Sequence, residues 1–340
     1  MFRNYFLLAI RNIRKNKLHT FINVSGLAVA FTCSIFILLM VYRHFSYDNF
    51  EANKSKLFKV YYYAINANGD ERSTAMAYPL TPALKAENIG IAKASSISYG
   101  GKLVRYKDKT LDMSTTLVDA DFLSMFTFPV IKGNAANPLS DLSNTVLTQN
   151  AADKLFGKED PIGKAVELKM QGNWYRFIVS AIVTDPPPNS SVKFSLLART
   201  ETNPGYADRR DKWDSGDHPV YVQLANNTTQ HQVESRLRSL VKKYTPDNTE
   251  AAKRDGYIAD KNVDYHSLHL LPLTEEHFNP QLGNGNSVSK SFLYTLILIS
   301  CVIVLIASFN FINLNVGLSF TRTKEIGIRK CLGAGKKQIW

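Results

Sequence analysis

Two stretches of this 340-residue chain run without a charge for longer than a globular helix needs, and they constrain everything between them. Phe21 to Tyr42 is 22 residues long and closed by Arg43. As a helix it reaches about 33 Å, enough to cross a hydrocarbon layer of about 30 Å. Between Lys290 and Arg322 lie 31 more uncharged residues. They would extend about 46 Å as a straight helix, so this helix is expected to tilt or to project beyond the hydrocarbon. A cleaved signal peptide is the rival reading of the first run. Its apolar region would be shorter, and no small-residue cleavage site follows at Arg43.

The charge distribution gives these helices a direction. Residues 44–288 hold 28 Lys+Arg and 28 Asp+Glu, so the formal charge of +12 belongs to the ends, with 13 basic residues and 1 acidic. Lys and Arg flanking membrane helices stay on the cytoplasmic side. Both ends are therefore expected in the cytoplasm, with 44–288 outside. The basic residues adjoin apolar runs and the large segment is neutral. This favours anionic headgroups of a lipid bilayer over nucleic acid as the partner. The cysteines are Cys33, Cys301 and Cys331, none in the outside segment, so no disulfide framework supports it.

In residues 1–19, Phe2, Tyr5, Phe6, Ala9, Ile10 and Ile13 recur at helical spacing, with Arg3, Arg11, Arg14, Lys15 and Lys17 mostly off that face. The pattern predicts an amphipathic helix lying in the cytoplasmic membrane interface. Residues 20–43 form transmembrane helix 1 and 289–319 transmembrane helix 2. In the second, Asn310, Asn313 and Gly317 share one face. Amides in lipid are costly unless another helix satisfies them, and glycine permits close approach. This face is expected to pack on further membrane helices.

Strand-like and helical runs interleave in 44–288 without regular βαβ spacing, predicting an α+β domain. Strands are expected at 56–65, 97–106, 110–118, 145–148, 165–169, 174–184, 220–224 and 266–273. Hairpin turns are expected at Lys107-Asp108-Lys109 and Gln171-Gly172-Asn173. Pro79–Glu87 reads as a helix, and Asp119 as the cap of one through Phe122–Phe126. Asn150–Phe156 reads as a helix ended by Gly157, and Thr229 with Gln232 as a capping box. The prolines of Asp185-Pro186-Pro187-Pro188-Asn189-Ser190 mark either a boundary between two subdomains or a rigid turn.

No catalytic motif is present. Gly157–Lys164 has its glycines six apart and Ala165 where a phosphate loop needs a hydroxyl, and Gly333–Lys337 lacks the upstream glycine. The chain is thus expected not to be an enzyme and to hold no cofactor and no metal. His266 and His269 fall on opposite faces of a strand, which argues against a metal pair. Glu275 and Glu276 read as a solvated charge patch.

The segment 320–340 is more patterned than a basic stop signal requires. Glu325 and Arg329 form an i,i+4 pair, Ile328 and Leu332 share a face, Gly333-Ala334-Gly335 breaks the helix and Lys336–Trp340 starts another. Such an arrangement would present a knob to a cytoplasmic partner.

These features resemble a known family, the MacB/FtsX-like ABC-transporter permeases of macrolide export, lipoprotein release and cell division, in the form common in Bacteroidetes. The resemblance rests on Phe6–Asn12, Ile22–Ala28, Tyr47-Asp48-Asn49-Phe50, Asp119–Phe122, Phe126–Pro129, Phe156–Lys164, Asp185–Ser191, Asn310–Leu314 and Arg322–Lys330. It implies a MacB-type periplasmic core domain in a multi-pass protein of the bacterial inner membrane. It also implies four membrane helices, so the chain resembles the front half of a longer permease. A separate cytoplasmic ABC ATPase subunit is expected to dock at Glu325, Ile326, Gly327, Arg329, Lys330 and Gly333. A second permease copy would form a dimer, and a periplasmic adaptor is a further partner of the family. Implied functions are efflux of antibiotics or peptides, or lipoprotein handling, driven by ATP hydrolysis in that subunit. The alternative with the same topology is a membrane receptor with a periplasmic sensor domain.

Overall fold

The computed structural model describes residues 17–244, 248–259, 264–283 and 285–333. Two compact units divide the chain, Ser46–Val288 and a unit made of the segments on either side of it. The expected amphipathic helix falls almost wholly outside the described residues, as does the short helix from Lys336.

In the flanking unit, the first helix spans Lys17–Phe45 and the second Lys290–Cys331, a rod of 42 residues. At about 1.5 Å per residue the second is about 63 Å long. Both contain spans long and apolar enough to cross a membrane, Thr20–Phe45 and Lys290–Gly317. The Ser289 side chain caps the second helix by accepting from the Phe292 N–H at 3.3 Å. Gly333, at φ +86°, follows its end. The helices pack antiparallel along a seam of small residues. The Ser34 hydroxyl donates to the Ser300 carbonyl at 3.2 Å, and the Ser300 hydroxyl to the Ser34 carbonyl at 3.4 Å. Further along, a Cβ on Gly26 would lie 3.7 Å from Asn310 Nδ2. Glycine there lets the Asn310 amide come close.

The outer unit is built on strands β1 (Leu57–Asn66), β2 (Gly69–Ser73), β3 (Met76–Ala77), β4 (Ile91–Tyr106), β5 (Lys109–Val118), β6 (Val130–Gly133) and β7 (Asn144–Thr148). They continue with β8 (Ala165–Met170), β9 (Asn173–Val183), β10 (Leu196–Arg199), β11 (Gly216–His218), β12 (Val220–Leu224), β13 (Tyr257–Ile258) and β14 (His266–Pro272). One twisted path runs β13-β1-β12-β4-β5-β10-β7-β9-β6, with β2 and β14 also on β1 and β8 joining β4 to β9; β3 and β11 form a separate ribbon. β4 is the shared element: Ile91–Ser96 pairs with β12, and Ile97–Tyr106 with β5.

Three buried clusters follow from this path. Phe58, Val60, Leu84, Val222 and Leu237 pack at one end, and Val104, Leu147, Leu155, Leu168 and Val179 at the other. Between them Phe122, Phe126, Phe128, Phe194 and Tyr221 form an aromatic centre, with Phe128 edge-on to Phe194 at 4.9 Å. Helix Gln230–Tyr244 turns Val233, Leu237 and Leu240 inward at helical spacing. Its predicted capping box is present: the Thr229 N–H donates to Gln232 Oε1 at 3.0 Å, and the Gln232 N–H to Thr229 Oγ1 at 3.4 Å. Gln171 and Gly172 both take positive φ in the β8–β9 turn.

Asp119 and Glu276 depart from expectation. Asp119 does not cap the helix Phe122–Met125 with its side chain. Its carboxylate instead accepts from the Ser96 N–H and hydroxyl, both at 2.6 Å, and so ties β5 to β4. Glu276 is not solvated: it is fully buried, because a lysine and a tyrosine await it inside.

Candidate functional site

The chain enters the outer unit at Ser46 and leaves it at Val288, and four sequence segments are fastened together around these two points. The Asp48 N–H donates to the Asn189 carbonyl at 2.9 Å, and Asn189 Nδ2 to the Ser46 carbonyl at 2.7 Å. Ser191 donates its N–H to Asp48 Oδ1 at 2.8 Å and its hydroxyl to Oδ2 at 2.5 Å. Asp48 sits at φ +54°, a backbone region that aspartate tolerates better than most residues. Three residues on, Glu51 Oε2 accepts from the Thr127 N–H at 2.6 Å, and Thr127 Oγ1 from the Ala52 N–H at 2.9 Å. Thus 46–52 is clamped by 185–191 on one side and by 125–128 on the other. The proline segment is a turn tied down within this unit.

The outgoing segment is held by a buried ion pair. Lys59, the charged residue of β1, donates to Glu276 Oε1 at 2.9 Å and to the Leu282 carbonyl at 2.9 Å. Glu276 also accepts from the Tyr221 hydroxyl of β12 at 2.8 Å. Beside it the His277 ring stacks on Tyr47, with centroids 3.4 Å apart and planes within 5°. The His277 carbonyl accepts from the Val288 N–H at 2.9 Å. Gly283 is required by the fold of this loop, since a Cβ there would fall 2.7 Å from the carbonyl oxygens of both Glu276 and Asn279.

Electrostatics follow from burial. Desolvation pushes the Asp48 carboxyl up to about 6, against the Ser191 hydrogen bonds that favour its charged form. Glu51 is pushed up to about 7 by the same cause, against the Thr127 N–H. Glu276 raises Asp48 further, and Asp48 raises Glu51. No group of three or more metal-ligating side chains occurs among the described residues. The arrangement is a clasp: its hydrogen bonds lie in a low-dielectric interior, support one another and resist being opened singly.

The sequence-derived site residues lie in the second helix. Glu325, Ile326, Gly327, Arg329 and Lys330 fall in its last two turns, and Gly333 just past its end. The expected Glu325–Arg329 pairing concerns side chains outside those described. All three residues of the packing face, Asn310, Asn313 and Gly317, are exposed; Asn310 also comes near Gly26 of the first helix, whereas nothing lies within 4 Å of a Cβ on Gly317. The clasp residues Lys59, Tyr221 and Glu276 were missed by sequence reasoning. A lysine inside the run Leu57–Ile65 was the available signal, but it names no partner. Four segments carrying the resemblance, Tyr47–Phe50, Asp119–Phe122, Phe126–Pro129 and Asp185–Ser191, contribute to the clasp or border it.

Comparison with known proteins fits this picture. The MacB-like periplasmic core domain matches residues 20–240, and the FtsX-like permease C-terminal region matches residues 297–340. No curated protein matches. Among solved structures, a domain of a putative permease protein from Porphyromonas gingivalis aligns with TM-score 0.55 and 20% identity over 65% of this chain and 91% of that one, which shows a shared fold. The periplasmic region of MacB from Actinobacillus actinomycetemcomitans aligns with TM-score 0.41 and 14% identity over 56% and 84%. The extracellular domain of the noncanonic ABC-type transporter YknZ from Gram-positive bacteria aligns with 0.42 and 13% over 63% and 99%. With more than half of its length matched by the core domain, the chain is a membrane protein that belongs to the MacB-like, FtsX-like family of ABC-transporter permeases.

Proposed function

We propose that this permease passes motion from a separate cytoplasmic ATP-hydrolysing subunit to its periplasmic core domain, in efflux of antibiotics or peptides or in lipoprotein handling. The observation that carries this reading is the unbroken helix Lys290–Cys331. It joins the apolar span and the residues Glu325–Lys330 in one rod, so a displacement at its cytoplasmic end is not absorbed by a hinge. The clasp supports the reading from the other side, because it ties the segments after Ser46 and before Val288 to β1 and β12. Both chain ends lie in the cytoplasm of a bacterial cell, with 44–288 in the periplasm. The face of Asn310, Asn313 and Gly317 packs on further membrane helices, and two permease copies assemble, with or without a periplasmic adaptor.

The test uses the complete permease with its ATPase subunit in lipid nanodiscs. Arg329→Glu and Gly327→Leu are expected to reduce co-purification of the subunit and its stimulated ATPase rate by about tenfold, the effect of losing about 1.4 kcal/mol of docking energy. Full retention of both properties sinks the docking assignment. Membrane-impermeant maleimide tests the topology: Cys331 should react only after the inner membrane is opened.

A further inference from the structure

Away from the clasp, the outer unit contains a pocket of about 400 Å³ between β1, β2, β14, the β3–β11 ribbon and helix Gln230–Tyr244. That size falls at the lower end of small-molecule sites. Its apolar lining comes from Met76, Leu80, Leu240 and Leu268. One wall is aromatic: Trp213 is held flat against Tyr244, centroids 4.9 Å apart and planes within 22°, and Tyr62 stands opposite the ribbon on β1. The ribbon approaches closely at Gly216, where a Cβ would meet the Ala75 carbonyl oxygen at 2.4 Å.

The carboxylates of the pocket are two. Glu71 and Asp214 both line it. The donors to Glu71, Tyr257 Oη at 2.8 Å and Asn66 Nδ2 at 3.3 Å, both reach Oε2, and none among the described residues reaches Oε1. Asp214 is exposed and has no ion pair or hydrogen bond among the described residues. Among the described residues, no Lys or Arg lines the pocket. His266 contacts the Tyr62 hydroxyl, and burial lowers its affinity for a proton, against the pull of the Glu71 carboxylate.

We propose that this pocket binds a small organic monocation, an amine or quaternary ammonium on an aromatic or aliphatic body. The ammonium sits at Glu71 and Asp214, and the body lies on Trp213 and the apolar floor. An anion would face two carboxylates with no cation to offset them. A bare metal ion would leave the aromatic wall unused, whereas an organic cation gains from the ring face and from burial of its carbon atoms. The inference concerns the outer unit alone and stands apart from the proposed coupling to ATP hydrolysis.

The experiment titrates the full chain in lipid nanodiscs with benzyltrimethylammonium. Trp213 fluorescence is the readout, in a variant carrying Trp174→Phe and Trp340→Phe. A saturable change is expected with the cation, at least about tenfold weaker binding with benzyl alcohol, and none with benzenesulfonate. Glu71→Gln should weaken binding of the cation about tenfold. Asp214→Asn, at an exposed position where the fold is not at stake, should weaken it about threefold. Equal response to the cation and benzyl alcohol overturns the site, as does binding that survives both substitutions unchanged.

Discussion

The outer unit and the helix pair solve the same problem in opposite solvents. In the outer unit, aromatic and aliphatic side chains are hidden in three clusters, and the one lysine in the middle of β1 is buried against Glu276. In the helix pair, Phe21, Phe36, Leu298 and Ile306 point outward, and the seam hides Ser34 and Ser300. Water rewards the first arrangement, and lipid removes the penalty for the second. What both share is that the polar groups at the centre of each contact are paired with one another. In the outer unit the pairing takes a full ion pair and a tyrosine; in the seam, two hydroxyls that reach across to backbone carbonyls suffice.

The sharpest way to break this comparison is to remove one partner of the ion pair. Lys59→Met leaves Glu276 buried with Tyr221 as its remaining hydrogen-bond donor among the described residues, and loss of about 3–5 kcal/mol is expected from a broken buried pair. Thermal unfolding of the outer unit, followed by near-ultraviolet circular dichroism, measures it. Lys59→Met combined with Glu276→Leu should recover most of the loss, since no charge then remains to desolvate. If the single substitution is harmless, the clasp is not held by this pair.

Next in size is the response to pH. Glu51 is raised from the ordinary 4.5 to about 7, so the folded state binds its proton more tightly than the unfolded state does. Relative stability is therefore full below about pH 4.5 and is lost as pH rises through about 7. The penalty at pH 8 is on the order of 3 kcal/mol for this group. Asp48, raised from 3.8 to about 6, acts in the same direction over a lower window. The outer unit should accordingly melt higher at pH 5.5 than at pH 8. Glu51→Gln should flatten that difference and leave the Asp48 portion. A melting temperature that falls on acidification through this range contradicts the burial of these carboxylates as the dominant effect.

Legibility in the sequence follows the range of the interactions. The two membrane spans, the capping box at Thr229 and Gln232, and the β8–β9 turn depend on neighbours within a few residues, and periodicity exposes them. The clasp does not have that property. Lys59 and Glu276 are separated by 217 positions, and Asp48 and Ser191 by 143. Glu276 in isolation looks like any acidic pair member on a surface, and Asp119 like any helix cap. Their true partners, Lys59 with Tyr221 and Ser96, are set by the register of β1, β4 and β12, which local patterning does not encode. Several segments that carry the family likeness gather around the clasp, so resemblance marks the place without revealing its chemistry.

The smallest expected effect lies in the helix seam and sharpens the contrast most directly. Ser34→Ala and Ser300→Ala each remove one hydroxyl donor, and each leaves a carbonyl that already accepts a helical hydrogen bond. Neither change strands a buried charge, unlike Lys59→Met. Hydrogen bonds between membrane helices contribute about 0.6 kcal/mol on average, so each single variant should lose about that much stability in bicelles. The two bonds sit side by side and are reciprocal, so the double variant should lose less than the sum if opening one loosens the other. Ser34→Leu is different in kind. It forces a branched side chain into a seam that Ser34 and Ser300 keep narrow, and it should separate the helices far more than the loss of both hydroxyls does. If Ser34→Ala proves as damaging as Ser34→Leu, the hydroxyl bonds rather than close packing hold the helices together, and the contrast with the outer unit largely disappears.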